Sequence, residues 1–292
     1  MGGALLRERP DVIEPLLADA EAESGLPLRG LVVDGTAEAL AATEVAQPAI
    51  FSLSVALTAI ATELGLRATL VAGHSLGEYA AAVAGGAMTW EAALRVVCAR
   101  GRLMARAQAE RSGAMAAVSG LATEKVRELC DLAGSVGTVV VANQNSPLQT
   151  VVSGDLAAVE WVVQVALEAG ADDAVRLRVG AAFHSPLMQP IQDELKVVLD
   201  GVAVADPSPA LVANASGEVA ATAAEVRSAL VRQVTMPVLW SACLATLRRR
   251  GCDAFLELGP GRVLTGLARL NDTEANAYAA DSVAKLEAYV SR

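Results

Sequence analysis

The chain has 292 residues and a net charge of −10, which argues against nucleic acid as its main partner. Apolar residues make up 53% of it but aromatics only 3%, so its large core must be built from Ala, Val and Leu. No apolar run reads as long enough to cross a bilayer and no signal segment opens the chain, so a cytoplasmic protein is expected.

The mixed apolar and acidic spacing of Asp11 to Glu23 predicts a surface helix, broken by the Gly25-Leu-Pro-Leu-Arg-Gly30 stretch. Gln47 to Leu66 is apolar with few charges and reads as a buried helix packed on a sheet. Thr69 to Ala72 then predicts a short strand, followed at once by Gly73-His-Ser-Leu-Gly77 and a helix-forming run. Strand, G-x-S-x-G turn and helix make a nucleophile elbow. In this reading Ser75 has a strained backbone, and Gly73 and Gly77 let strand and helix pack closely. The hydroxyl projects at a helix N-terminus, whose free N–H groups suit an oxyanion.

Thr89 is the expected N-cap of a helix from Trp90 to about Gln108. On a helical wheel Ala93, Val97 and Met104 share one stripe, with Glu91, Arg95, Arg102 and Arg106 opposite. Arg100 lies on the apolar stripe, where a guanidinium needs an anion: a buried Asp or Glu, or the carboxylate of a substrate. Strands at Ala114–Val118, Thr138–Ala142, Gln149–Val152 and Ala174–Val179 alternate with helices at Ala122–Ala133 and Asp155–Ala169. Their order, βαββαβ, is that of a ferredoxin-like unit, with Asn143-Gln-Asn-Ser-Pro147 expected to join its middle strands. A strand at Pro209–Asn214, helices at Ala223–Gln233 and Pro237–Arg249 and a strand at Cys252–Glu257 resume the α/β pattern. The fold class is therefore α/β: a parallel-sheet catalytic domain over 1–111 and 181–292, with the ferredoxin-like subdomain inserted at 112–180.

Most of the other reactive side chains carry less chemistry. Cys98, Cys130, Cys243 and Cys252 lack C-x-x-C spacing and read as small hydrophobes in a reducing compartment. The two histidines form no ligand cluster, so no metal is expected. Arg248-Arg249-Arg250 reads as a solvated helix end. A serine nucleophile needs a base. His74 adjoins Ser75 on the elbow and points away from it, which leaves His184 in Phe183-His-Ser-Pro186, where the inserted unit ends.

The motifs Gly73-His-Ser-Leu-Gly-Glu78, Arg100, Asn143-Gln-Asn-Ser-Pro147, Phe183-His-Ser-Pro186, Gln233 to Trp240 and Glu257-Leu-Gly-Pro-Gly261 together resemble the malonyl-CoA:acyl-carrier-protein transacylases. That family includes the acyltransferase domains of polyketide synthases, and the resemblance covers nearly the whole chain. It implies an α/β-hydrolase-like fold, with Ser75 as nucleophile and His184 as general base. It also implies Arg100 as carboxylate clamp, the Gln233 carbonyl as histidine-orienting group and the Leu76 backbone N–H as oxyanion donor. The implied partners are an acyl carrier protein and malonyl-CoA or a 2-substituted malonyl thioester; no cofactor, metal or membrane is implied, and a monomer is expected.

Ala181-Ala-Phe-His184 is nearer the malonyl-selecting H-A-F-H than the methylmalonyl-selecting Y-A-S-H. Phe183 and Leu76 are thus the expected specificity residues, although one methyl group is worth only about 1–3 kcal/mol in an apolar pocket. The family also has an opening strand and a G-Q-G-S-Q loop that gives a second oxyanion donor, and this sequence contains neither. It begins at residues resembling those just after the loop, so the sequence is expected to lack that segment. Losing one such donor typically costs about 2.7–4 kcal/mol in the transition state. The compact length suggests a discrete, trans-acting enzyme. Two other readings are a serine hydrolase or thioesterase, which would leave Arg100 without a task, and a catalytically impaired carrier-protein docking module.

Overall fold

In the computed structural model, which describes residues 2–292, four helices lead in. They are α1 (Gly3–Glu8), α2 (Pro10–Ser24), α3 (Leu28–Asp34) and α4 (Ala37–Ala41). Ile13, Leu17 and Ala20 give α2 its buried stripe, and Gly25 closes it in the left-handed region at φ +73°. The expected buried helix is α5 (Thr43–Glu63), which starts four residues early at Thr43. By length and composition α5 could span a bilayer, contrary to the expectation for the chain; here it is a core helix, with Phe51, Leu53, Leu57 and Ile60 buried.

The strand β1 (Leu70–Ala72) leads through a tight turn into α6 (Gly77–Ala84), and α7 (Trp90–Glu110) follows. Thr89 caps α7 by accepting a hydrogen bond from the Ala92 N–H at 3.2 Å. The wheel reading of α7 holds: Ala93, Val97, Arg100 and Met104 are buried, and Glu91, Arg95, Arg102 and Arg106 are exposed. Helices α5 and α7 pack along their lengths, which sets Gln47 beside Met104 and Arg100.

Next come β2 (Ala114–Ser119), α8 (Thr123–Leu132), β3 (Val139–Ser146), β4 (Gln149–Gly154), α9 (Leu156–Glu168) and β5 (Asp173–Arg176). The four strands form one antiparallel sheet in the order β3-β4-β2-β5. This unit has its own apolar cluster, built around Val118, Val126, Val152, Val159 and Val162. The Asn143-Gln-Asn-Ser-Pro147 stretch is not simply a connecting loop, because β3 runs on to Ser146 with two register shifts. Its polar residues can extend the strand because they find partners. Gln144 N–H donates to Val238 O at 2.9 Å, and Val238 N–H donates to Ala142 O at 2.8 Å.

The chain returns through α10 (Gln189–Asp200), β6 (Ala210–Val212), β7 (Val219–Ala220), α11 (Ala223–Arg232) and α12 (Trp240–Arg249). It ends with β8 (Ala254–Leu258), α13 (Val263–Asn271), β9 (Asn276–Ala280) and α14 (Val283–Val290). Helix α12 starts at Trp240 rather than Pro237, because Val238 is held extended against β3.

The sheets are mixed rather than purely parallel. Strand β1 pairs parallel with β6, β7 turns back antiparallel on β6, and β8 pairs parallel with β9. The reversal into β7 passes through Gly217, at φ +69°, where a Cβ would sit 2.5 Å from Ala242. Among the described residues no ladder joins β1 to β8. Their side chains nonetheless share layers: Leu70, Ala72 and Phe255 enter one apolar cluster, and Val71, Leu256 and Leu258 pack on the larger one.

Candidate active site

Ser75 sits in the turn between β1 and α6 with φ +51°, a left-handed backbone that non-glycine residues rarely adopt. The fold holds it there from several sides. Ser75 N–H donates to Asn214 Oδ1 at 2.7 Å, and Asn214 Nδ2 donates to Gly73 O at 2.7 Å. Gln233 Nε2 donates to Ser75 O at 3.1 Å. The close approach needs Gly73, because a Cβ there would lie 2.0 Å from Gly77 O. Gly77 itself is not required by the packing, since a Cβ on it would meet nothing within 4 Å. That corrects the expectation that both glycines are needed. The Leu76 N–H, just ahead of α6, donates to no group among the described residues and remains available to an oxyanion.

His184 reaches Ser75 across 109 residues of sequence, its Nε2 lying 2.8 Å from Ser75 Oγ. Its Nδ1 lies 2.6 Å from Gln233 O. A carbonyl oxygen only accepts, so Nδ1 carries the ring proton and Nε2 presents its lone pair to the serine O–H. Burial, helped by the Arg100 charge, lowers the His184 pKa to about 3, which keeps the imidazole neutral. His184 also has a positive φ, +57°, a strain that nothing in Phe183-His-Ser-Pro186 announced. His74 is turned away, as expected. Its Nε2 lies 2.9 Å from Asn145 Oδ1, and its ring tilts against Trp240.

Arg100 is 2% exposed, and its guanidinium faces Ser75. Nη2 donates to Ser75 Oγ at 3.0 Å and to Gln233 Oε1 at 3.1 Å, and Nη1 donates to Gln47 Oε1 at 2.6 Å. Nε has no hydrogen-bond partner among the described residues. Nor, among them, does any carboxylate lie within ion-pair distance of Arg100. Of the two anions weighed from the sequence, a directly paired Asp or Glu is thus absent. Burial lowers the Arg100 pKa, and the nearby Tyr79 and Glu78 offset part of that effect.

The structure therefore brings Ser75, Leu76, Arg100, His184 and Gln233 to one place. Phe183 is buried, next to His184 in the chain. Sequence reasoning missed four contributors: Gln47, Glu78, Asn214 and the Gln233 side chain. Each is a polar residue in an apolar setting, and that was the available signal. Elsewhere, Arg248 and Arg249 pair with Asp272 and Glu218 at the surface, as a solvated helix end does. Cys98, Cys130 and Cys243 are buried, while Cys252 is half-exposed.

A serine on a strained elbow, a neutral histidine held by a carbonyl and a free N–H at a helix start define an acyl-transferring serine site. The chain belongs to the acyl transferase domain family, whose model matches residues 1–287. It is 36% identical over 268 residues to the malonyl CoA-acyl carrier protein transacylase of Bacillus subtilis strain 168, covering 91% of this chain and 84% of that protein. The enzyme of the same name from Escherichia coli K12 is 38% identical over 264 residues, with 90% and 85% covered. Among solved structures, the acyl-carrier-protein S-malonyltransferase of Burkholderia pseudomallei 1710b superposes with a TM-score of 0.94 at 34% identity, covering 100% of this chain and 95% of that one. A malonyl-transacylase solved in complex with its type II polyketide acyl carrier protein gives 0.95 at 37% identity, with 100% and 94% covered. The resemblance read from the motifs is borne out.

Proposed function

We propose that this protein moves a malonyl group from malonyl-CoA onto Ser75 and then onto the phosphopantetheine thiol of an acyl carrier protein, in fatty-acid or polyketide synthesis. One observation carries the substrate class. Arg100 is buried 3.0 Å from the nucleophile with no carboxylate paired to it among the described residues, as a site for an acyl group bearing its own carboxylate requires. The names of the relatives support the same reading.

In the first half-reaction His184 Nε2 takes the Ser75 proton as Oγ attacks the thioester carbon. The oxyanion lies at the Leu76 N–H. Collapse breaks the C–S bond, and His184 returns the proton to the CoA thiolate. In the second half-reaction His184 deprotonates the carrier thiol, sulfur attacks the serine ester, and Ser75 leaves with the proton. Gln233 O stabilises the imidazolium at Nδ1 through both steps. The reading needs no cofactor or metal.

The same reading assigns 1–111 and 181–292 to an α/β-hydrolase-like catalytic domain and 112–180 to a ferredoxin-like insertion. The strand order β3-β4-β2-β5 and the separate apolar cluster support that division. It gives Phe183 and Leu76 the task of restricting the 2-position of the acyl chain, on the motif argument alone. It also has the enzyme act as a cytoplasmic monomer away from nucleic acid and membrane. The test is to incubate the protein with malonyl-CoA and holo carrier protein and weigh the products. Malonylated carrier is expected. Free malonate formed without carrier would instead make it a hydrolase, and no product would leave a docking module.

A further inference from the structure

Glu78 takes no part in the steps above, yet its carboxylate joins the elbow to Arg100. It is fully buried on the first turn of α6. Asn214 N–H donates to its Oε1 at 3.0 Å, and Gln233 Nε2 donates to its Oε2 at 2.7 Å. Both oxygens therefore face N–H donors. The first donor is backbone and cannot be turned. The second belongs to an amide that also donates to Ser75 O and whose oxygen accepts from Arg100 Nη2. An amide has one donor end and one acceptor end, so the acceptor at position 78, at the shorter distance, acts with Ser75 O to decide which end of Gln233 meets Arg100.

The charge acts in the same direction. Arg100 is buried without a directly paired carboxylate among the described residues, and Glu78 stands one amide away from it. Tyr79 and Cys243 also sense the Glu78 charge, and burial keeps both protonated. Burial raises the Glu78 carboxyl to about 7, even against the opposing pull of the two N–H donors and Arg100.

We propose that Glu78 is a positioning residue: its carboxylate locks the Gln233 amide with the oxygen toward Arg100, and so holds the guanidinium in line for the acyl carboxylate. This rests on the assignment of Arg100 to that carboxylate. An amide at position 78 cannot do the same. In Glu78→Gln one end of the side chain becomes a donor. Facing Asn214 N–H, it meets another donor. Facing Gln233, it rotates that amide and sets the NH2 group against Arg100.

The test measures acylation by malonyl-CoA and acetyl-CoA as a ratio of kcat/KM values, in wild type, Glu78→Gln, Gln233→Met and the double variant, with folding followed by circular dichroism. If the wild type shows no malonyl preference, the Arg100 assignment fails whatever Glu78 does. Given that preference, Glu78→Gln is expected to lower the ratio about 10-fold, as for loss of one charge-assisted contact. The double variant is expected to match Gln233→Met alone, since both act through one amide. An unchanged ratio in Glu78→Gln, or losses that simply add in the double variant, would overturn the proposal. If Glu78→Gln does not fold, Gln233→Met carries the test by itself, and a retained malonyl preference there overturns the lock.

Discussion

At the residue scale, Arg100 and His184 both reach Ser75 Oγ from buried positions, and the charge of the first sets the behaviour of the second. Removing the guanidinium takes away the acyl carboxylate's partner, and a charge-assisted hydrogen bond is worth roughly 1.5–3 kcal/mol. Arg100→Ala is therefore expected to lower kcat/KM for malonyl-CoA by about 10- to 150-fold and to remove the preference over acetyl-CoA. Competition between the two thioesters measures this, and an unchanged preference contradicts the clamp. His184 makes a second prediction. Its folded pKa of about 3 lies below the ordinary 6.5, so between these values the unfolded chain binds the extra proton. The neutral imidazole thus contributes stability that is present above pH 6.5 and is lost as the pH falls toward 3. Glu78, raised to about 7, acts with the opposite sign: its contribution is lost as the pH rises from 4.5 through 7. Melting curves between pH 7.5 and 5 are expected to fall less steeply for His184→Asn than for wild type. An equal slope would mean that His184 is already charged in the folded protein.

At the scale of the elements, the elbow and α7 hold the chemistry in place, and their glycine and cap positions can be tested separately. Gly73→Ala forces a Cβ to within 2.0 Å of Gly77 O, so loss of folding or of acylation is expected. Gly77→Ala meets no atom within 4 Å and removes a flexible residue from the start of α6. A melting temperature equal to or above that of wild type is expected for it, consistent with a gain of up to about 1 kcal/mol. A marked drop for Gly77→Ala would contradict the open space at that position. Thr89→Ala removes the N-cap of α7, about three helical turns before Arg100, and is expected to destabilise by about 1 kcal/mol, with the malonyl preference intact. Thermal unfolding read beside the competition assay checks both halves of that statement.

At the scale of the whole molecule, the site is a meeting of parts distant in sequence, and that decides how much of it could be read beforehand. The elbow is local: Gly73-His-Ser-Leu-Gly77 announces its own strain, and the φ of Ser75 agrees. Arg100 was also legible, because a charge on an apolar stripe of a periodic helix stands out. The six elements of β2 to β5 appeared in the expected order, since their alternation and turns are local signals too. What stayed hidden depends on distant chain. The extension of β3 along Val238 and the shared layers of β1 and β8 are set by contacts between segments far apart. Glu78, Asn214 and the Gln233 side chain carry no spacing signal, because each takes its role only from partners 133 to 158 residues away. His184 was reached by elimination, and its positive φ could not be foreseen.

The proposed chemistry requires Ser75 to take up a carboxylated acyl group held by Arg100. Intact-mass measurement after mixing the protein with an equimolar pair of malonyl-CoA and acetyl-CoA, with no carrier present, tests it most directly. The expected result is a stable malonyl adduct on Ser75 in wild type, none in Ser75→Ala, and in Arg100→Ala an adduct mixture without malonyl preference. A malonyl adduct that survives in Ser75→Ala, or equal malonyl and acetyl labelling of the wild type, would contradict the account.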